Sequence, residues 1–418
     1  MIPQRLAGLM AILVAAPAGA VTLDDAIAAA LAHDPSIAIA DAGRDAAGGR
    51  VDQARAAGRP TVTVRGSIGY GRLDPQGFFG LGGADVTPFT AQAMIEQPLF
   101  TGGRVSAAAD QARAGLAMAE AGRNNARGDL AAAVAAAYGD VLATAIMRTS
   151  WLRLLAQTGE IERQARLRFK AGESPSTDVD QASARLAEAR GGLAGAEGAV
   201  AAARAHYRNL VGTDPVDLAP LPAGPAAPAT LDEAVALAAR NSPAIAQAEA
   251  GLAAARAARR GAAAERLPMV GAFAEAGRVR DQFFPDYRAN SATIGVRANW
   301  QLYNGGRVDG RMPETSAEAR AAEARLRAAQ QQVEEQVITL FEGLRTAHLV
   351  AIAAADQARA SEAARASVAH EVRVGLKPQL DLLDAEREAI AATARAARAE
   401  AARTTTAYRL SAALGRPD

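Results

Sequence analysis

Few side chains in this 418-residue chain are spaced to do chemistry. Asp381 and Asp384 lie three residues apart just after Pro378, where a helix would bring both carboxylates to one face. Acids near a helix amino terminus favour its dipole, and Asp384 could pair with Arg387, so these residues taken alone point to a structural role. The histidines His33, His206, His348 and His370 are scattered without metal-ligand spacing, and His370-Glu371 lacks the second histidine of a zinc-hydrolase helix. Gly69-Tyr70-Gly71 and Gly80-Leu81-Gly82-Gly83 belong to a hairpin and precede no helix, which argues against a phosphate loop. Cysteine is absent, which excludes a disulfide framework, a thiolate metal site and a lipidated cysteine. The expectation is a protein that is not an enzyme, with no catalytic site, no metal and no cofactor.

Charge and composition narrow the class further. The formal net charge is +1, and the amino-terminal segment carries one arginine, Arg5, before the apolar run from Leu6 to Ala16 and the small residues Pro17-Ala18-Gly19-Ala20. That order reads as a signal peptide over 1–20, cleaved after Ala20. Its removal cancels the net charge, and no basic excess argues for nucleic acid. Beyond the leader no stretch reads as a spanning helix; the best candidate, Leu130 to Met147, is mostly alanine and contains Asp140. A chain of this kind would have to cross a membrane with strands. Aromatic residues make up only 4% of the chain, whereas alanine, leucine, glutamate and arginine abound, the composition of long helices packed closely through small side chains.

The remaining elements are written twice. Thr22-Leu23-Asp24-Asp25 and Thr230-Leu231-Asp232-Glu233 each place an acid three residues after a threonine, the spacing of a capping box. His33-Asp34-Pro35 and Asn241-Ser242-Pro243 then start a second helix with proline in its first turn. Strands are expected over about 61–72 and 87–99, and again over about 269–280 and 290–303. In three of the four, apolar residues alternate with polar ones, as Val62, Val64 and Ile68 do with Thr61, Thr63, Arg65 and Ser67. Strands of about ten residues with one apolar and one polar face are what an outer-membrane barrel uses, although a half-buried hairpin on a soluble sheet has the same pattern.

Each strand pair ends in an elbow, Thr101-Gly102-Gly103-Arg104 or Asn304-Gly305-Gly306-Arg307, where paired glycines allow a sharp turn from strand into helix. Long helices follow over about 104–170 and 307–373, and return helices over about 175–212 and 378–415. Val333, Val337, Leu340 and Leu344 step by four, three and four, a heptad seam that Ala347, Ala351, Ala354 and Ala358 continue. The simplest account is a duplication: a first repeat over 21–219, a proline-rich linker over 220–229 and a second repeat over 230–418.

In this arrangement the sequence resembles the TolC family of outer-membrane channel proteins over the whole mature chain. The resemblance rests on the duplicated helix-strand-strand-helix unit, the two elbows, and the hairpin tips Phe169-Lys170-Ala171-Gly172-Glu173-Ser174-Pro175 and Val372-Arg373-Val374-Gly375-Leu376-Lys377-Pro378. It implies a mainly α fold with a β-barrel part: a homotrimer whose 12-stranded barrel in the outer-membrane lipid continues as a helical tunnel across the periplasm. Elementary chemistry agrees about three chains, because four strands alone would leave two open edges facing lipid, and eight strands make a barrel already filled by side chains.

The resemblance also implies roles. It places Asp381 and Asp384 at the narrow periplasmic entrance, where threefold symmetry would make two carboxylate rings that attract cations and respond to pH. Lys377 falls where the family uses an arginine to hold the entrance closed; a lysine keeps the charge but loses the planar fork. Gly172 and Gly375, with Val374 and Leu376, fall at the turns presented to a periplasmic adaptor, and Glu173 stands where an apolar residue is usual. The implied function is a passive exit duct for an inner-membrane pump of the RND or ABC type, in efflux or in type I secretion. A periplasmic coiled-coil adaptor or scaffold without a pore is the competing reading.

Overall fold

The computed structural model describes residues 20–74, 83–283 and 285–416. The expected signal peptide over 1–20, apart from its last residue, and the loop aromatics Phe78, Phe79 and Phe284 lie outside the described residues.

Elements are numbered in chain order. The first half comprises α1 (Leu23–His33), α2 (Pro35–Ala56), β1 (Thr61–Ile68), β2 (Gly71–Leu73), β3 (Ala84–Val86), β4 (Phe89–Phe100), α3 (Arg104–Lys170) and α4 (Ser176–Val211). The second comprises α5 (Leu231–Asn241), α6 (Pro243–Ala264), β5 (Met269–Arg280), β6 (Arg288–Asn299), α7 (Arg307–Arg373) and α8 (Gln379–Ala413). The capping logic is local: Thr22 accepts from the Asp25 N–H while Asp25 accepts from the Thr22 N–H, and Asp34 caps α2 through the Ser36 N–H.

Two strand boundaries need correction. The first strand stops at Ile68 and pairing resumes at Gly71, where β2 and β3 form a small separate ladder. The last strand ends at Asn299, short of 303: the Trp300 indole N–H donates to the Arg266 carbonyl at 3.0 Å, and the chain leaves the ladder there.

The four main strands form one antiparallel sheet in the order β1-β4-β5-β6, so β1 and β6 are its edges. The register carries single faces across all four strands: Val62, Ile95, Ala274 and Ile294 share one side, and Arg65, Gln92, Gly277 and Ser291 share the other. The apolar side is bare, with Ile294 exposed to 85% and Val64 to 76%.

Below the sheet, α3 packs against α2 and α4 on one side and against α6 and α8 on the other, while α7 packs against α6 and α8. Both α3 and α7 have 67 residues, about 100 Å of helix. Each contains a window apolar enough to cross a bilayer, which corrects the expectation that none does; in α3, 56% of that window is buried against its neighbours. Small residues allow the close approach: a Cβ at Gly128 would come within 2.7 Å of the Ala412 methyl carbon. A Cβ at Gly192 of α4 would likewise run into the Trp151 ring of α3, at 2.4 to 2.5 Å.

The largest core cluster sits at mid-height, where Leu23 and Ile27 of α1 meet Val134 and Tyr138 of α3 and Tyr207 of α4. There Val21 bridges Leu218 in parallel, and the Tyr138 hydroxyl lies 2.7 Å from the carbonyls of both Val21 and Ala219. One hydroxyl proton serves two acceptors, so Tyr138 binds the segment before α1 and the segment after α4 to the middle of α3.

Candidate functional site

The end of the molecule opposite the sheet is formed by two helical hairpin tips. At the first, the Glu173 N–H donates to the Arg168 carbonyl and the Gly172 N–H to the Phe169 carbonyl. At the second, Leu376 donates to Glu371 and Gly375 to Val372. Both are Schellman motifs, which require a left-handed residue; Gly172 and Gly375 supply it, each with φ of 78°. The turn geometry leaves Val374 and Leu376 with no cover, Leu376 being 77% exposed.

Lys377 follows the second turn and is held by its own hairpin: Nζ lies 2.9 Å from Glu371 Oε2. Donating to the Glu371 carboxylate, together with the charge of Glu371 and, more weakly, that of Asp381, raises the pKa of the ammonium above the usual lysine range. Asp381 and Asp384 both lie exposed on the first turns of α8. Arg387 is not available to Asp384, because its guanidinium reaches Glu188 of α4 at 3.0 Å.

Directly behind these acids lies a group that sequence reasoning missed. Glu386 is only 2% exposed; its Oε1 accepts from Gln157 of α3 and from Arg365 of α7, both at 2.9 Å. Arg365 also grips Glu362 with two further hydrogen bonds, at 2.9 and 2.7 Å, which lower the Glu362 carboxyl and hold the guanidinium firmly protonated. One buried carboxylate thus ties α8, α7 and α3 together. A signal was present: Leu383, Glu386 and Ile390 are spaced as a helix seam, and a charge in an otherwise apolar seam needs a partner. The Gln379 amide adds a second tie from α8 to α3, donating to Gln164 at 2.9 Å.

The elbows lie at the other end of the long helices. Gly102 and Gly103 have φ of 61° and 88°, and Gly305 and Gly306 of 67° and 83°. The two pairs differ in crowding: a Cβ at Gly102 would lie 2.6 Å from that of Leu267, whereas nothing stands within 4 Å of Gly305 or Gly306. Arg104 crosses to the other half of the chain and donates to the carbonyls of Ala264, Glu265 and Leu267 at 3.1 to 3.2 Å, closing the end of α6. Its counterpart Arg307 pairs with Glu265 at 3.0 Å, as Arg311 does.

Among the described residues, the two tips bring together carboxylates, amides and basic side chains, and no nucleophile there is hydrogen-bonded to a base. The outer membrane efflux protein family matches the chain over residues 26–213 and 234–416. The chain is 28% identical to the outer membrane efflux protein BepC of Brucella suis over 368 residues, 87% of this chain and 78% of that one. In three dimensions it is similar to a membrane protein of Pseudomonas aeruginosa, with a TM-score of 0.80, 20% identity and coverage of 94% and 93% of the two chains. It is likewise similar to the outer membrane protein VceC of Vibrio cholerae, with a TM-score of 0.77, 20% identity and coverage of 94% and 96%.

Proposed function

Because the chain belongs to the outer membrane efflux protein family, whose members are passive outer-membrane channels rather than enzymes, we propose that it works as a homotrimeric exit duct. Three copies of the four-stranded sheet would close a 12-stranded barrel in the outer membrane, and the long helices would continue it as a tunnel across the periplasm. The observation that carries this reading is the sheet itself, apolar and bare on one face, polar on the other, with β1 and β6 as open edges. In lipid each unsatisfied backbone group costs several kcal/mol, so the edges need partners, and copies of the same sheet supply them.

The duct would receive its cargo from an inner-membrane pump of the RND or ABC type through a periplasmic adaptor docked at the tips. Exposed Val374 and Leu376, and the turns at Gly172 and Gly375, offer the contact surface. Asp381 and Asp384 would form the cation-attracting entrance, with Lys377 and Glu371 shaping the turn beside them. Cargo of either kind, small molecules in efflux or a polypeptide in type I secretion, fits a tunnel without chemistry. A periplasmic scaffold without a pore is disfavoured because it would leave the apolar sheet face in water.

The test is single-channel recording in a planar bilayer, with the mass of the detergent-solubilised particle measured on the same preparation. Discrete openings from a particle of three chains are expected. Folded protein that never inserts would return the molecule to the scaffold class.

A further inference from the structure

We infer that the rim of the sheet farthest from the helices carries a site for a phosphorylated lipid headgroup of the outer leaflet, formed by Arg278, Arg280 and Arg288. The inference rests on the reading that this sheet lies in the outer membrane.

The register places all three arginines on the apolar, lipid-facing side. Ala272, Ala274 and Ala276 precede Arg278 and Arg280 on that face of β5; Arg288 and Asn290 precede Ala292, Ile294 and Val296 on that face of β6. The outermost row across the sheet reads Ile68, Phe89, Arg280, Arg288, and the next reads Gly66, Ala91, Arg278, Asn290. The charge is therefore confined to the second hairpin; at the same level the first hairpin is apolar.

Height fits a headgroup. Arg288 stands twelve residues from Trp300, which is exposed just past the helix end of the strand, about 41 Å of extended chain. At a tilt of about 40° that is about 31 Å, just beyond an apolar band about 25 Å tall. Long basic side chains at such a rim extend to the phosphate level while their stems stay on the apolar surface.

Electrostatics call for an anion. Arg280 and Arg288 are direct cross-strand partners, so like charges project from neighbouring positions about 5 Å apart, which is unfavourable unless neutralised. Among the described residues Arg278 and Arg288 make no ion pair, and all three arginines are exposed. Arg280 has an ion pair with Asp281 at 3.6 Å, but that carboxylate is engaged in the turn, accepting from the Asp286 N–H at 2.8 Å and from the Thr87 hydroxyl at 3.4 Å. Asp286 lies within the same turn, with its backbone in the left-handed region. Three planar forks above an apolar wall match a phosphate attached to acyl chains, since guanidinium groups bind phosphate bidentately. Exposed Phe283, edge-on to Tyr287 at 5.3 Å, adds an apolar shoulder.

The test compares full-length protein with the Arg278→Gln, Arg280→Gln, Arg288→Gln triple variant, both stripped of lipid in detergent and titrated with bisphosphorylated lipid A by native mass spectrometry. Near an anionic surface each arginine contributes a factor of about five in affinity, so the triple variant should bind about 100-fold more weakly. Dephosphorylated lipid A should bind the parent about as weakly as the variant binds the intact lipid. Equal binding by parent and variant overturns the site. Displacement by inorganic phosphate at matched concentration would overturn it in favour of a simple anion site, and equal competition by phosphatidylglycerol would overturn the assignment to the outer leaflet. If the triple variant does not fold, Arg278→Gln and Arg288→Gln singly should each lose about fivefold. Conductance of the same preparations separates the two readings: a conducting parent with no lipid preference overturns this site alone, and a parent that never inserts overturns the duct.

Discussion

Gly139 of α3 lies so close to Ala401 of α8 that a Cβ added at 139 would stand 2.6 Å from the Ala401 methyl carbon. The contact joins the two halves of the chain at mid-height, and it exists only because both residues are small. Gly139→Val should destabilise by about 1–3 kcal/mol, the usual cost of overpacking. Gly115→Ala in the same helix, where nothing stands within 4 Å, should instead stabilise by about 0.5–1 kcal/mol through the restricted unfolded chain and better helix propensity. Thermal unfolding followed by circular dichroism distinguishes the two directions; a neutral Gly139→Val would mean that the helices separate more freely than the geometry indicates.

Glu386→Ala should cost about 1–3 kcal/mol, because Gln157 and Arg365, both half-buried, each lose a hydrogen bond, while Arg365 keeps Glu362 as a partner. Replacing Glu386 and Arg365 together by methionine should recover most of that loss, since the desolvation penalty of the pair disappears with the pair. Urea unfolding of the two variants beside the parent measures both effects.

Tyr138 carries a pH signature. Burial, chiefly, and then Tyr207 push its hydroxyl up from the ordinary tyrosine value of 10.0 to about 12, so the folded state prefers the protonated form. Its contribution is complete below pH 10 and is lost as pH rises from about 10 to about 12. Tyr138→Phe should lose about 1–3 kcal/mol at neutral pH, because the Ala219 carbonyl loses its donor. It should also flatten the alkaline fall. Melting temperatures at pH 8, 10 and 12 test the sign as well as the size.

Asp381→Ser with Asp384→Ser should weaken cation preference in single-channel recordings while leaving openings intact, because both carboxylates are exposed and, among the described residues, neither supports the fold through an ion pair. Unchanged selectivity would move the filter to other residues. Glu388, one turn beyond Asp384 and also exposed, is the next to exchange.

The fold class was legible because several weak signals recur in the same order. Two Gly-Gly-Arg elbows, two capping starts and two long alanine-rich stretches mean little separately, but duplicated order is hard to produce by chance. Alternation gave the faces of the sheet wherever apolar residues were large, as at Val62, Val64, Ile294 and Val296. It failed along β5, where alanines on one face and glycines on the other carry little contrast and only the ladder reveals which side Arg278 takes. The end of β6 was hidden for another reason: Trp300 continues the alternation in sequence, yet its indole is drawn to the Arg266 carbonyl.

The tip was legible only in outline. Asp381 and Asp384 stand out as neighbouring charges, whereas Glu386 shows in sequence only as a charge on the seam of Leu383 and Ile390 that calls for a partner without naming it. Its importance comes from Gln157, 229 positions away, and no local spacing encodes that. Nor does spacing reveal that Arg387 turns to Glu188 of α4 and away from Asp384.

Arg104 has a mechanical consequence. By closing three carbonyls at the end of α6, it rivets the first half of the chain to the second just beneath the sheet, while its counterpart Arg307 spends its charge on Glu265 within its own half. A ring of three such chains would behave as three stiff double staves joined by three unriveted seams, not as six equal slats. Outward strain on the ring would gather at the seams between chains, and a widening bore would pass through a three-cornered outline before it became round.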